Sequence, residues 1–180
     1  MKRLAALVAD RTVALVGNAM SLVDGDARGT EIDGHDVVIR MNAGLPGVLP
    51  RNIVGERTDV WATAKHFGKR IDPEPTLMVF MKLTKLGNRD WAQFLLDDYR
   101  DYPMVRWPQE LEDEVKEFVG ADPGTGIRML YYLKRIAHPK SVSLFGMDCW
   151  TTPSSWSEKF HTPNHDPELE RDAVARLIGS

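Results

Sequence analysis

The 180-residue sequence contains one cysteine, no long apolar run and no excess of basic residues. Because Cys149 has no second cysteine to pair with, an intrachain disulfide is excluded, and we expect a small buried apolar side chain rather than a nucleophile. No stretch approaches the roughly 20 apolar residues that cross a bilayer. The formal net charge of −3 argues against broad nucleic-acid binding, since a duplex-binding protein needs a basic face.

The N-terminus has only the beginning of a targeting signal. The basic residues 2–3 precede an apolar run over residues 4–9, which stops at Asp10-Arg11 and is too short for the apolar core of a signal peptide. Hydrophobic residues make up 43% and charged residues 27% of the chain, as in ordinary globular proteins. We therefore expect a soluble cytoplasmic protein without a transmembrane segment, folded as one domain over residues 1–180.

Short apolar runs alternate with segments of helical periodicity. Strands are predicted over residues 12–16, 37–41, 59–63, 77–81 and 141–145. Helices are predicted over residues 88–99, from Pro108 to Gly120, over residues 127–136 and from Asp166-Pro167 onward, the last with Leu169, Val174, Leu177 and Ile178 as apolar positions. Residues 148–164 form a polar loop. This alternation predicts an α/β fold, a single Rossmann-like domain with a mostly parallel sheet flanked by helices.

Glycine and asparagine follow three of the predicted strands, as Gly17-Asn18, Asn42 and Gly146. In parallel sheets ligands bind at the carboxyl ends of the strands. An asparagine amide with free backbone N–H groups suits a phosphate or a ribose, although both residue types are also common in plain turns.

The segment Gly124-Thr125-Gly126 precedes a predicted helix. Its glycines allow close approach of a ligand, and the helix N-terminus offers N–H donors to an anion. A simple loop-to-helix junction explains the same segment when it is taken alone.

The combination of these features is specific. In order and spacing, the large sialylmotif of the sialyltransferases of glycosyltransferase family 29 resembles residues 13–18, Gly25, Gly29, residues 31–33, residues 35–42 and residues 55–58. Residues 123–127 and 142–147 are similar to the small sialylmotif. His165 and Glu170 match the histidine and glutamate of the very small motif, and His161 is similar to the histidine of the remaining short motif.

The resemblance implies the GT-A-like variant of the α/β fold found in sialyltransferases, in a short bacterial-type member. It implies inverting transfer of sialic acid or a related ulosonic acid from CMP-sialic acid or a similar CMP-sugar donor to a glycan acceptor, with no metal ion and no cofactor. By the same resemblance, His165 is the general base and His161 steadies the leaving phosphate. Asn18 and Asn42 hold the phosphate and nucleotide, and the remaining site residues are Gly17, Gly124, Thr125 and Gly126 at the donor, with Glu170 and Arg40 in support.

The chain departs from the family pattern at three points. In the animal enzymes a disulfide ties the large motif to the small one, whereas the matching positions here, near Val13 and Pro139, are apolar or proline. Gly124 stands where the family usually has serine. The separation of His161 and His165 is much shorter than the family's usual separation.

Two other interpretations keep the nucleotide-binding fold. One is a Kdo-type transferase, which uses a different CMP-activated sugar, and the other is a non-catalytic nucleotide-binding relative. A Rossmann dehydrogenase is disfavoured, since no Gly-x-Gly-x-x-Gly follows the first strand.

Overall fold

The computed structural model describes residues 1–44, 50–64, 75–81, 97–154 and 165–179. These residues form a six-stranded sheet of order β5-β4-β3-β2-β1-β6, in which all neighbouring strands are parallel. Its strands are β1 (Thr12–Val16), β2 (Val37–Met41), β3 (Val60–Thr63), β4 (Leu77–Phe80), β5 (Met104–Arg106) and β6 (Ser141–Phe145). The predicted α/β fold with a mostly parallel sheet is confirmed.

The five predicted strands are observed within one residue of their predicted ends, and β5 was not predicted. Strands β2, β3 and β4 are buried at every position, as expected for central strands with helices on both faces. Strand β5 has only three residues, follows Pro103, lies at the sheet edge and is partly exposed. It therefore lacks the continuous apolar run from which the other strands were predicted.

Six helices flank the sheet in the described residues. They are α1 (Lys2–Val8), α2 (Gly29–Asp33), α3 (Arg51–Val54), α4 (Gln109–Val119), α5 (Thr125–Tyr132) and α6 (Pro167–Ile178). A 3₁₀ turn (Met20–Leu22) follows β1, and a π turn (Leu133–Ala137) continues α5. None of these helices combines the length and the apolar character needed to cross a bilayer.

The predicted helix ends are correct for α4 and α6. Gly120 ends α4 in the left-handed conformation (φ 84°), and the Asp166 carboxylate caps α6 by accepting from the backbone N–H groups of Glu168 and Leu169. Helix α5 begins two residues before its predicted start and changes to the π turn at Leu133.

Two other predictions on the helices have different outcomes. Ile178 was predicted as an apolar position of α6, but 56% of its surface is exposed. It is the last residue of that helix and follows Leu177, which is the last residue of α6 that is buried in the core. Residues 88–96 of the helix predicted over residues 88–99 lie outside the described residues.

The strand order determines which helices cover which face. From β1 to β5 the chain moves across the sheet in one direction, and it returns to the other side of β1 for β6. Right-handed crossovers therefore place α2 and α3 on one face, and α4 and α5 on the other. The core on the second face also includes α1 and α6, through Leu4, Val8, Ala173 and Leu177. The direction of the chain reverses beside β1, and in open parallel sheets ligands generally bind at such a position.

Candidate active site

The loops that follow β1, β2 and β6 lie together at the carboxyl edge of the sheet, because β1 is paired with both other strands. The Gly17 N–H donates to the Phe145 carbonyl over 2.7 Å, and the Ala19 N–H donates to the Gly146 carbonyl over 3.1 Å. A Cβ atom on Gly17 would lie 2.1 Å from the Gly146 oxygen, so only glycine allows this approach. The predicted convergence of Gly17-Asn18, Asn42 and Gly146 is thus observed.

Asn42 connects three elements at this edge. Its amide nitrogen donates to the Thr125 hydroxyl at the start of α5 over 3.3 Å, and its Oδ1 accepts from the Ala64 N–H over 3.1 Å. Its backbone carbonyl accepts from the indole N–H of Trp61 over 2.7 Å. Asn42 has a left-handed backbone (φ 50°), which asparagine tolerates better than most residues. Asn42 therefore fixes the start of α5 above the ends of β2 and β3, with a second amide hydrogen left to donate.

The Asn18 side chain has an unused acceptor. Its Oδ1 is buried and has no hydrogen-bond partner in the described part of the chain. This oxygen lies 1.6 Å from the position that a Cβ atom on Gly44 would occupy, so glycine at that position makes room for it. An unpaired buried carbonyl oxygen is costly, and a hydrogen-bond donor on a ligand would remove that cost.

The N-terminus of α5 is built from the predicted Gly124-Thr125-Gly126 segment. Gly124 precedes the helix in an extended conformation, and no side chain in the described ranges caps the first turn. The first backbone N–H groups of α5 therefore remain available for an anion. A Cβ atom on Gly126 would lie 2.9 Å from Met147 Cε and 3.2 Å from Met41 Sδ, so glycine lets this helix end pack against the edge next to β2 and β6.

His165 lies in front of α6, with 17% of its side chain exposed. Its Nδ1 is 2.8 Å from the Asp122 carbonyl and 3.4 Å from Glu170 Oε1. Since a carbonyl only accepts, we assign the hydrogen to Nδ1, which leaves Nε2 of the neutral ring with a free lone pair. The Trp150 indole stacks on the imidazole, with ring centroids 5.1 Å apart and planes inclined by 20°.

The buried Glu170 carboxylate orients this histidine and its surroundings. Its Oε1 accepts from the Gly124 N–H over 2.7 Å, and its Oε2 accepts from the Trp150 indole N–H over 3.0 Å. Burial lowers the pKa of His165, but the Glu170 carboxylate and the Asp122 carbonyl outweigh it and hold the pKa above its ordinary value. The structure thus brings together His165, Glu170 and the Gly124-Thr125-Gly126 segment.

Arg40 stands apart from this cluster. The fully buried Arg40 donates to the carbonyls of Arg57 and Val54, each over 2.7 Å, and its burial lowers its pKa to about 10. Arg40 therefore supports the connection between α3 and β3. The phosphate-steadying role predicted for His161 falls outside the described residues.

Sequence reasoning did not find Trp150 or Asp122. Trp150 lies in a segment whose sequence predicts only a polar loop. Cys149 and Trp150 both have a left-handed backbone, with φ 50° for Cys149 and 66° for Trp150. Two adjacent non-glycine residues in this region store strain, which is concentrated at functional sites. Burial, with a contribution from Glu170, raises the pKa of the Cys149 thiol to about 11, which makes it a poor nucleophile.

The described residues contain no group of three or more His, Cys, Asp or Glu side chains that could hold a metal ion. The site is instead made of backbone N–H groups, amides and one imidazole. These groups can bind a phosphate and accept a proton from a hydroxyl group.

No protein-family model matches the chain, and no curated protein matches it in sequence. Solved structures do match. A mammalian sialyltransferase in complex with Gal-beta-1-3GalNAc-ortho-nitrophenol is 20% identical with a TM-score of 0.72, over 97% of this chain and 68% of that one. A second structure of a mammalian sialyltransferase is 20% identical with a TM-score of 0.70, over 94% of this chain and 66% of that one.

The sialyltransferase CstII from Campylobacter jejuni, in complex with the substrate analogue CMP-3FNeuAc, is 16% identical with a TM-score of 0.56. This match covers 94% of the present chain and 76% of CstII. The chain therefore has the fold of the sialyltransferases, and it spans about two thirds of the length of the mammalian chains.

Proposed function

We propose that this chain, which has the fold of the sialyltransferases, is an inverting glycosyltransferase that moves sialic acid or a related ulosonic acid from a CMP-sugar to a glycan hydroxyl. The observation that carries the proposal is the contact of His165 with Glu170 and Asp122, in which Glu170 also accepts from Gly124 N–H at the N-terminus of α5, so that a basic nitrogen lies near that helix end. Base and anion site are the two parts that displacement of CMP requires.

The donor is held by the carboxyl edge of the sheet. The phosphate of CMP accepts from the first N–H groups of α5, and the amides of Asn18 and Asn42 complete its contacts with the nucleotide. Thr125 and Gly126 line the donor, since Thr125 is tied to Asn42 and Gly126 brings the helix close to the edge.

In the reaction, the Nε2 lone pair of His165 takes the proton of the acceptor hydroxyl. The hydroxyl oxygen attacks the anomeric carbon as the bond from that carbon to the phosphate oxygen breaks, so the configuration inverts and CMP leaves. Histidine has a pKa near the working pH, which suits a general base. The negative charge that develops on the phosphate is stabilised by the N-terminus of α5, and we propose that no metal ion is needed.

Replacement of His165 tests this assignment. His165→Ala should lower turnover of CMP-sialic acid by at least about a hundredfold, the lower end of what a positioned base contributes. The affinity for CMP, measured by calorimetry, should stay nearly unchanged because the base acts on the acceptor. His138→Ala is the matched control, since His138 is exposed, lies beyond α5 and should leave both quantities unaltered.

Each outcome of this experiment is informative. Full activity of His165→Ala would place the base elsewhere and contradict the mechanism. CMP binding without any transfer in the unmodified protein would favour the non-catalytic nucleotide-binding relative. Transfer from CMP-Kdo rather than from CMP-sialic acid would favour the Kdo-type enzyme, and binding of UDP or NAD without CMP would contradict the donor assignment.

A further inference from the structure

A buried ion pair connects α4 and α5 behind the candidate site. The Arg128 guanidinium donates to the Glu112 carboxylate through two bonds of 2.7 Å, from Nε to Oε2 and from Nη2 to Oε1. The exposed fraction is 5% for the Arg128 side chain and 2% for the Glu112 side chain. Lys116 also approaches this carboxylate, with its Nζ 3.4 Å from Glu112 Oε1. Such a two-pronged contact fixes the plane of the guanidinium.

The remaining N–H groups of Arg128 reach the loop between α4 and α5. The Nη1 group donates to the Pro123 carbonyl, and Nη2 lies 3.1 Å from Asp122 Oδ1. Because Glu112 fixes the guanidinium, these two contacts hold Asp122 and Pro123 in place, with Lys116 Nζ also 3.5 Å from Asp122 Oδ1.

The same loop contacts both His165, the proposed base, and Glu170, its carboxylate partner. The Asp122 carbonyl accepts from His165 Nδ1 over 2.8 Å. The Gly124 N–H, immediately after Pro123, donates to Glu170 over 2.7 Å. The orientation of His165 therefore depends on a loop segment that Arg128 holds from behind.

We propose that Arg128, oriented by Glu112, is a positioning residue that sets the orientation and tautomer of His165 through the Asp122-Pro123 backbone. Its catalytic consequence rests on the function proposed above. Stability does not account for the pair, since apolar side chains of similar volume usually replace a buried ion pair with no loss of stability. The guanidinium does what apolar side chains cannot, because it gives the loop two directed hydrogen bonds.

This distinction defines the test. The paired replacement Glu112→Leu with Arg128→Met removes both charges at once and fills the space, so the protein should fold, with a melting temperature lowered only by the loss of the donor to the buried Pro123 carbonyl. The loop loses its two bonds from Arg128. We expect the pKa of His165 to fall by roughly one unit, about the effect of one lost hydrogen bond. We expect kcat to fall by about tenfold to a hundredfold, as a misplaced base loses part of its contribution.

The pKa of His165 is measured by NMR titration, with the imidazole signal assigned from a His165→Gln variant. The charged groups that act on this ring in the described residues are Glu170 on α6 and Asp122 on the loop, and neither is replaced. Removing Glu112 and Arg128 together leaves the net charge unchanged. The loss of the Arg128 charge beside Asp122 would by itself raise the pKa of His165, so a fall in this pKa reports the position of the loop, whether or not the protein transfers a sugar.

A matched control uses another contact between the same two helices. Tyr131 on α5 donates to Glu114 on α4 over 2.6 Å. Tyr131→Phe, which breaks this contact and also leaves the net charge unchanged, should leave the pKa of His165 and kcat as they are in the parent.

An unchanged pKa of His165 in a folded Glu112→Leu, Arg128→Met protein would overturn the proposal. Should that protein fail to fold, Arg128→Lys decides the question, because lysine keeps the charge but lacks the planar fork that joins Glu112, Pro123 and Asp122 in fixed directions. A pKa equal to that of the parent in Arg128→Lys would likewise overturn the proposal. If the parent protein shows no transferase activity but the pKa of His165 is lowered in the variant, the result would support the positioning role and contradict only the proposed function.

Discussion

Replacement of Glu170 by glutamine tests whether one carboxylate organises the site. The carboxylate is 4% exposed and accepts from two N–H groups, Gly124 on one oxygen and Trp150 on the other. Glutamine has the same shape but only one accepting oxygen. Whichever way its amide turns, one buried N–H donor faces an NH₂ group and loses its partner.

The expected loss of stability follows from these contacts. One hydrogen bond to a charged acceptor contributes about 1.5–3 kcal/mol, and an unpaired buried donor is costly in its own right. We expect Glu170→Gln to lower the free energy of unfolding by about 2–3 kcal/mol. In a chain of this length that corresponds to a fall of about 4–12 °C in the melting temperature.

Calorimetric unfolding of Glu170→Gln and of Glu168→Gln gives a matched comparison. Both substitutions remove a negative charge from the first turn of α6, but Glu168 is exposed. Their shared loss of interaction with the helix dipole cancels in the difference. Equal melting temperatures for the two variants would refute the reasoning, because the buried contacts of Glu170 would then contribute nothing.

Three further results are expected. Asn42→Ala should weaken CMP binding in calorimetry by roughly 1–3 kcal/mol, as hydrogen bonds at the nucleotide are lost, and unchanged affinity would count against the donor site. Sialyl transfer should survive EDTA, whereas a loss that Mg²⁺ or Mn²⁺ restores would contradict a metal-free mechanism. Because the pKa of His165 is raised in the folded protein, the stability it contributes is full below its unfolded pKa and is lost as the pH rises through its folded pKa. Denaturant titrations should therefore show a larger deficit for His165→Gln near about pH 5.5 than near about pH 8.5, and an equal deficit at both would show that the raised pKa is absent.

The central sheet could be predicted because its signal is local. Strand β2 is buried at all five positions, so the mostly apolar run Val37–Met41 is enough to predict a buried strand. Strand β5 gives no such signal, because an edge strand of three residues is specified by its pairing with β4 rather than by its composition. Helix α1 was missed for a different reason. Its apolar residues Leu4 and Val8 were judged only as a targeting signal, whereas they pack into the core.

Site residues that directly follow a predicted strand could be identified from the sequence. Site residues that matter through contacts between distant segments could not. Asn18 and Asn42 were found because they follow β1 and β2, and His165 with Glu170 because the motif keeps them together. The roles of all four remain predictions. Trp150 and Arg128 carry no comparable signal, since what makes them informative is contact with His165 and with the loop at Asp122. Such contacts require the fold.

The pairing of β1 with β6 also determines when the site can exist during synthesis. Thr12 pairs with Ser141 and Val16 with Phe145. Strand β1 is the first of the six strands to be synthesised, and it has no partner on this side until β6 has been synthesised as well. Contacts between such distant segments form slowly, because a long loop must close before they stabilise anything. His165 and Glu170 emerge later still. A nascent chain released before residue 141 would have Asn18 and Asn42 but no neighbour on one side of β1. The site should therefore form only after residue 170 has been synthesised, and until β6 is available the unpaired edge of β1 is a surface that chaperones could cover.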